Sequence, residues 1–448
     1  MQRDLTQGSI TKTLLLFALP MMAGNLLQQF YNIADTLIVG RFLGREALAA
    51  VGSAYTLMTF LTSILLGLSM GAGAMFAICQ GRGDRERLRA GVAQAFCLVF
   101  LITLGLNAGA YLGIDGILAF LRVPGEVYAP MRAYLWVIFS GISATFLYNF
   151  FACLLRALGN SVAPLLFLAV SALLNIGLDL LFVIGFSWGV AGAAAATVIS
   201  QYVAGLGILL YTLLRCKGLW PRRRHFAWNP GVLREIGSLS LLTCMQQSVM
   251  NFGILMVQGL VNSFGPVVMA AFAAAVKIDS FAYMPVQDFG NAFSTFVSQN
   301  YGAGKGERIQ RGIRRAALAG MAFCLLVSAL VVLFAEPLML LFVQPQETGV
   351  VAEGVLYLRI EGAFYWGIGC LFLFYGFYRA VNRPAMSLAL TVVSLGTRVA
   401  LAYLLAGPVG VWGVWAAIPT GWLLADLLGL LYYRKHRAEL LAFQLKNG

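Results

Sequence analysis

Between Ala47 and Gly81 no residue carries a charge. The same holds for Thr13–Ala34, Ala90–Ile114, Ala133–Leu155, Ala157–Leu178, Leu180–Leu214 and Ile236–Val276. A helix needs about 20 apolar residues to cross the hydrocarbon core of a bilayer. Each run reaches that length, and Ile236–Val276 exceeds it and breaks at Gly265-Pro266. With 448 residues, 60% hydrophobic and 11% charged, a soluble fold is excluded. The mean hydropathy of +0.82 agrees. The pattern predicts twelve spans, near residues 13–39, 48–79, 91–113, 128–153, 163–186, 190–214, 236–263, 267–299, 313–335, 352–378, 385–405 and 410–432.

The chain also repeats itself at an offset near 221 residues. R-A-L-G-N-S-V-A-P after Leu155 answers R-A-V-N-R-P after Tyr378, and G-V-A-G-A-A-A-A from Gly189 answers G-V-W-G-V-W-A-A from Gly410. G-D-R-E-R at Gly83 answers G-K-G-E-R at Gly304. Six spans per half is an even number, so both halves start on the same side of the membrane. The expected fold is therefore an all-α integral membrane protein: two six-helix lobes related by a pseudo-two-fold axis along the membrane normal. The domain reading is residues 1–214 as the N-terminal lobe, 215–235 as a linker, and 236–448 as the C-terminal lobe. Such folds place a substrate site between repeats, which points to a transporter.

The net charge of +13 is sorted by loop. With both termini in the cytoplasm, Arg82, Arg85, Arg87, Arg89, the linker cations, Lys305, Arg308, Arg311, Arg314, Arg315 and the tail cations fall inside. Only Arg41, Arg45, Arg122 and Arg132 fall outside. This is the positive-inside pattern of a multi-pass protein of the inner (plasma) membrane. The basic loops then have lipid headgroups as partners, not nucleic acid. Thr13–Gly40 is longer than a signal's apolar core and reads as the first span. The seven cysteines show no C-x-x-C pairing and read as small packing residues. Gly67, Gly71, Gly73, Gly189 and Gly192 read as close-packing positions. None is followed by G-K-[ST], so no ATPase site is visible and an ion gradient is the expected energy source.

An ionisable group inside a bilayer is costly and has a task or a partner. Asp35, Asp179, Lys277, Asp279, Asp288, Glu361, Arg398 and Asp426 are the candidates. Asn25, Gln28, Tyr31 or Asn32, and Asp35 recur at spacings of three and four, forming one polar stripe on the first span. Pro20 precedes it and removes a backbone hydrogen bond, marking a hinge. Asn175 and Asp179 share a face of the fifth span. If Asp35 and Asp179 meet, one holds a proton or the pair shares a cation. Oxygen ligands of this kind suit H⁺ or Na⁺ rather than a soft metal. The alternative is a hydrogen-bonded Asp–Asn pair that only locks helices.

At the repeat offset, Asp35 and Asp179 fall on Met256 and Ala400, so the second half does not copy the acids. It carries amides and hydroxyls instead: Gln247, Asn251, Gln258 and Asn262 on the seventh span, and Gln287, Asn291, Ser294 and Ser298 on the eighth. These stripes either line an aqueous cavity or serve as interhelical glue. With Gln28 and the aromatic Tyr283, they make up the expected substrate wall of Gln28, Gln247, Asn251, Tyr283, Gln287 and Asn291. Lys277, Asp279, Asp288, Glu361 and Arg398 are candidates for buried ion pairs, with no pairing readable.

F-A-L-P-M-M-A-G-N-L-L-Q-Q-F-Y-N-I-A-D-T-L-I-V-G near the start and S-Q-N-Y-G-A-G-K after the eighth span resemble the multidrug and toxic compound extrusion (MATE) family. The R-A-L-G-N and N-I-G-L-D segments do so too, and the resemblance covers nearly the whole chain. It implies a secondary antiporter that exchanges H⁺ or Na⁺ for amphipathic organic cations by alternating access. The resemblance is to the branch with its cation site in the N-terminal lobe. That implies a site of Tyr31 and Asp35 on the first helix, Asn175 and Asp179 on the fifth, and Thr197 on the sixth. Na⁺, if used, falls to Asp35, Asn175, Asp179 and Thr197. The chain departs from the other branch, whose signature acid sits on the seventh helix, because Ile236–Val276 contains none.

No cofactor is expected beyond the coupling ion, and a functional monomer is expected to suffice. The rival reading is a lipid-linked oligosaccharide flippase of related architecture, which requires a strongly cationic cavity. Lys277 and Arg398 are the only deeply placed cations here, with acids nearby. An intramembrane enzyme is excluded on its chemistry: the two histidines, His225 and His436, lie in basic segments outside the spans.

Overall fold

The structure is a computed structural model that describes residues 3–120, 123 and 125–442. Arg122, Lys446 and the end of the C-terminal tail, all used in the charge map, lie outside the described residues. No strand occurs among the described residues. In chain order the helices are α1 (Ile10–Phe42), α2 (Gly44–Arg82), α3 (Arg85–Leu112), α4 (Ile114–Phe120), α5 (Gly125–Ile138), α6 (Ile142–Ala157), α7 (Val162–Asp179) and α8 (Gly189–Arg215). The second half continues with α9 (Pro230–Asn262), α10 (Pro266–Gly302), α11 (Gly306–Leu333), α12 (Ala335–Leu340), α13 (Thr348–Gly362), α14 (Tyr365–Ala380), α15 (Pro384–Ala406) and α16 (Val411–Leu441).

With α5 and α6 taken as one segment, Gly125–Ala157, eleven segments are long and apolar enough to cross a membrane, and the bent pair α13–α14 makes up to 12. The expected twelve-span reading thus holds, with one refinement. The tenth span is broken by 51° between Gly362 and Tyr365. There Phe364 N–H donates to the Glu361 carbonyl at 3.0 Å, and Gly367 N–H to that of Phe364 at 2.8 Å. These tight turns replace two α-helical bonds and redirect the chain. Leu112, Leu173, Leu333 and Leu404 are at least 70% open, as side chains solvated by lipid must be.

The internal repeat is written into the turns. Gly83 and Gly304 both adopt left-handed backbone, at φ 74° and 67°, and end α2 and α10. Gly189 and Gly410 do the same at 62° and 71°, ahead of α8 and α16. Gly159 and Asn382 close α6 and α14 at 84° and 58°. Glycine pays no Cβ penalty there, and asparagine is among the few other residues that tolerate it.

Two compact units emerge. One comprises Ala23–Cys244 with the extreme N-terminus; the other comprises Leu5–Met22 and everything from Met245 onward. The helix α1 is continuous through Pro20 and passes from one unit to the other at Met22/Ala23. α9 passes between them at Cys244/Met245. The core of the first unit gathers Phe96, Phe146 and Phe150, with ring centroids 5.4–5.7 Å apart. In it, α2 lies hard against the start of α9. A Cβ on Gly71 would sit 2.4 Å from Leu239 O, and one on Gly67 2.5 Å from Cys244 Cα. The small-residue run therefore serves packing. The core of the second unit stacks Phe272 on Trp415 at 5.4 Å, with Tyr357 edge-on to Trp415 at 4.9 Å.

Candidate functional site

Within the first unit, Asp35 from α1 and Asp179 from the end of α7 bring their carboxyl groups within hydrogen-bonding range of each other. Asp179 is fully buried and Asn175 is 2% exposed. Asn175 Nδ2 donates to Thr197 Oγ1 of α8 at 3.4 Å, and that hydroxyl donates to the Ala193 carbonyl at 3.1 Å. Its amide oxygen is therefore turned away from Thr197. Asp35 Oδ1, both oxygens of Asp179 and Asn175 Oδ1 have no donor among the described residues. So Asp35 and Asp179 come together, Asn175 lies one turn from Asp179 and is tied to Thr197, and neither oxygen of Asp179 is sealed by a local hydrogen bond.

Two carboxylates cannot face each other in a low-dielectric site while both carry charge. The arrangement is stable only with a shared proton or a small cation. Backbone geometry aids the placement. Immediately after Asp179 the chain loosens into a π-helical turn, Leu180–Gly185, which shifts the register beyond the acid. Phe182 then stacks on Trp188 at 4.8 Å, closing the turn into α8.

Tyr31 lies on the same face of α1, hydrogen-bonded to Gln28 and close to Asp35. Sequence reasoning missed Tyr134 of α5, which is 6% exposed and lies near Asp35, Asp179 and Tyr31. Its sequence signal is one hydroxyl among several in the uncharged run Ala133–Leu155, and aromatic packing explains that equally well.

The other expected wall residues are more dispersed. Gln28 belongs to the first unit and is exposed, whereas Gln247, Asn251, Tyr283, Gln287 and Asn291 belong to the second. Tyr283 stacks on Phe372 at 6.4 Å. Asn291 Oδ1 accepts from Arg379 Nη2 at 3.0 Å, and Gln258 donates to Asn262 at 2.9 Å. At these two positions the interhelical and intrahelical bonding reading describes what the amides do.

The second unit also contains a buried polar cluster that could not be paired from sequence. Tyr357 O–H donates to Asp279 Oδ2 at 2.7 Å, and Tyr365 O–H to Asp279 Oδ1. Glu361 adjoins Asp279, and Arg398 lies near both. No ion pair joins Arg398 to an acid among the described residues, and Lys277 is exposed. At Asp279, tyrosine hydroxyls thus stand where an ion pair was expected. Among the described residues no group of three or more His, Cys, Asp or Glu side chains is placed to hold a metal ion.

The MatE family model matches the chain in two blocks, residues 20–181 and 240–404, one in each half. The chain belongs to the MatE family. A probable multidrug resistance protein, YpnP of Bacillus subtilis, is 30% identical over 435 residues, covering 97% of each chain. The probable multidrug resistance protein NorM of Thermotoga maritima is 27% identical, covering 96% of this chain and 93% of its own. Among solved structures, an outward-facing multidrug resistance MATE transporter of the MOP superfamily superimposes with a TM-score of 0.91 at 25% identity. It covers 97% of this chain and 98% of that one. This MatE protein is accordingly a secondary transporter and not an enzyme, with the all-helical two-lobed membrane fold of its family.

Proposed function

We propose that this MatE protein exports amphipathic organic cations from the cell in exchange for H⁺ or Na⁺, by alternating access. The facing carboxyls of Asp35 and Asp179 carry the reading. With both carboxyls protonated, or with Na⁺ beside the singly protonated pair, the site is neutral and has little attraction for a cationic solute, whereas the singly protonated pair without the ion carries one negative charge and has much. Ion and solute thus compete for one negative charge. A gradient that loads the ion from outside releases the solute there. Asn175 Oδ1 and Thr197 Oγ1 supply the further oxygen ligands a Na⁺ ion would need. Each charge moved across the membrane draws about 2.3 kcal/mol per 100 mV. The names of the multidrug resistance relatives support drug export, and the facing carboxyls argue for cationic cargo. The distribution of Lys and Arg supports a plasma-membrane protein with both termini in the cytoplasm.

Efflux of a fluorescent organic cation from proteoliposomes, under separately imposed proton and sodium gradients, tests the proposal. Asp35→Asn is expected to abolish gradient-driven efflux with insertion and thermal stability retained. Undiminished driven efflux in that variant removes the ion-site assignment.

A further inference from the structure

The connector between α8 and α9 is held down along its length on the first turns of α3. Arg89 Nε and Nη2 donate to the Gly218 carbonyl at 3.0 and 2.7 Å, and Gln94 Nε2 donates to that of Ala227 at 3.0 Å. Arg224 and His225 reach Glu86 at 2.6 and 3.0 Å, and Arg87 pairs with Glu235 at 2.5 Å. Cys216 and His225 are buried at 8% and 5% exposure. The strap is a built surface and not a loose tether.

The strap itself carries no acid, and the acids beside it on α3 and α9 are already engaged. Glu86 serves Arg89, Arg224 and His225, and Glu235 serves Arg87. Arg215, Lys217, Arg222 and Arg223 are exposed and form no ion pair among the described residues. Aromatic rings are interleaved with them: Trp220 is 42% open and Trp228 63%. The Trp220 indole N–H donates to the Leu213 carbonyl at 3.1 Å, fixing that ring beside the end of α8. Just before this point Leu206, Leu210 and Leu214, one turn apart, are 51%, 55% and 60% open. That stripe belongs in lipid, so Trp220 stands where lipid tails give way to headgroups, the depth that indole rings prefer.

We propose that Arg215, Lys217, Arg222 and Arg223, with Trp220 and Trp228, form a binding surface for anionic phospholipid. The phosphates meet the cations, and the rings insert at the glycerol level. Surplus positive charge, rings at interfacial depth and a rigid backing fit a lipid better than a soluble anion, which has no use for the rings. This surface stands independently of the ion site and of the cargo.

The full-length protein is reconstituted in mixed phosphatidylcholine and phosphatidylglycerol, and the lipids retained after mild extraction are counted by native mass spectrometry. Phosphatidylglycerol is expected to be enriched. Arg222→Gln with Arg223→Gln should cut the enrichment by about fivefold per cation removed. Arg222→Lys with Arg223→Lys should keep it, and Trp228→Ala should reduce retention of both lipids. Absence of enrichment in the unaltered protein overturns the proposal, as does an unchanged enrichment in the glutamine variant. An equal loss from Arg314→Gln with Arg315→Gln, on α11, shows a diffuse charge effect and also overturns it. So does displacement of the lipid by inorganic phosphate, which marks a free-anion site.

Discussion

Asp179 is fully buried with neither oxygen hydrogen-bonded to a donor among the described residues, and the second acid faces it. Asp179→Asn replaces the acid with a neutral isostere. The dependence of efflux on the imposed gradient is expected to fall by about 5- to 150-fold, the ordinary range of coupling energies. Proteoliposome transport at several gradients measures it. Thr197→Val removes the acceptor of Asn175 Nδ2. The loss of one hydrogen bond, about 1 kcal/mol, predicts an apparent ion affinity weakened by about fivefold, read from the ion concentration for half-maximal efflux. The two aspartates were legible from sequence because a charge in an uncharged run stands out against the cost of burying it. Tyr134 was not, because a tyrosine in an apolar helix is indistinguishable from packing until the rotation of α5 is known. Asn291 was read as wall, and its bond to Arg379 across a gap of 88 residues carried no sequence signal.

At the scale of elements, close approach and handedness set the limits. A methyl at Gly71 meets the Leu239 carbonyl with no flexible side chain to yield. Gly71→Ala is therefore expected to cost about 1–3 kcal/mol of stability, seen as a lowered melting temperature in detergent. Asn382 holds a left-handed position at φ 58°. Asn382→Ala should cost about 1–2 kcal/mol, and Asn382→Gly should cost nothing measurable in the same assay. Most span positions in the first half were readable from charge-free length, and those in the second half from apolar length together with the repeat. The break in the tenth span was not, because its bend arises where Tyr365 is drawn to Asp279, a partner 86 residues away. The π-helical turn after Asp179 was equally invisible, since Leu180–Gly185 is as apolar as any helical stretch.

For the whole molecule, the repeat seen in sequence reappears as three pairs of left-handed turns and as two matched blocks of one family model. The compact units nevertheless do not partition by chain order, since α1 and α9 each contribute to both. A protease cutting within Cys216–Asn229 would release two fragments, each carrying an arm that completes the other's fold. The nicked protein is expected to elute as one species in gentle detergent and to come apart only under denaturation. For the same reason, either fragment expressed alone should fail to accumulate, while co-expression of both restores yield. Duplication here has left two partners that share custody of each other's first helix.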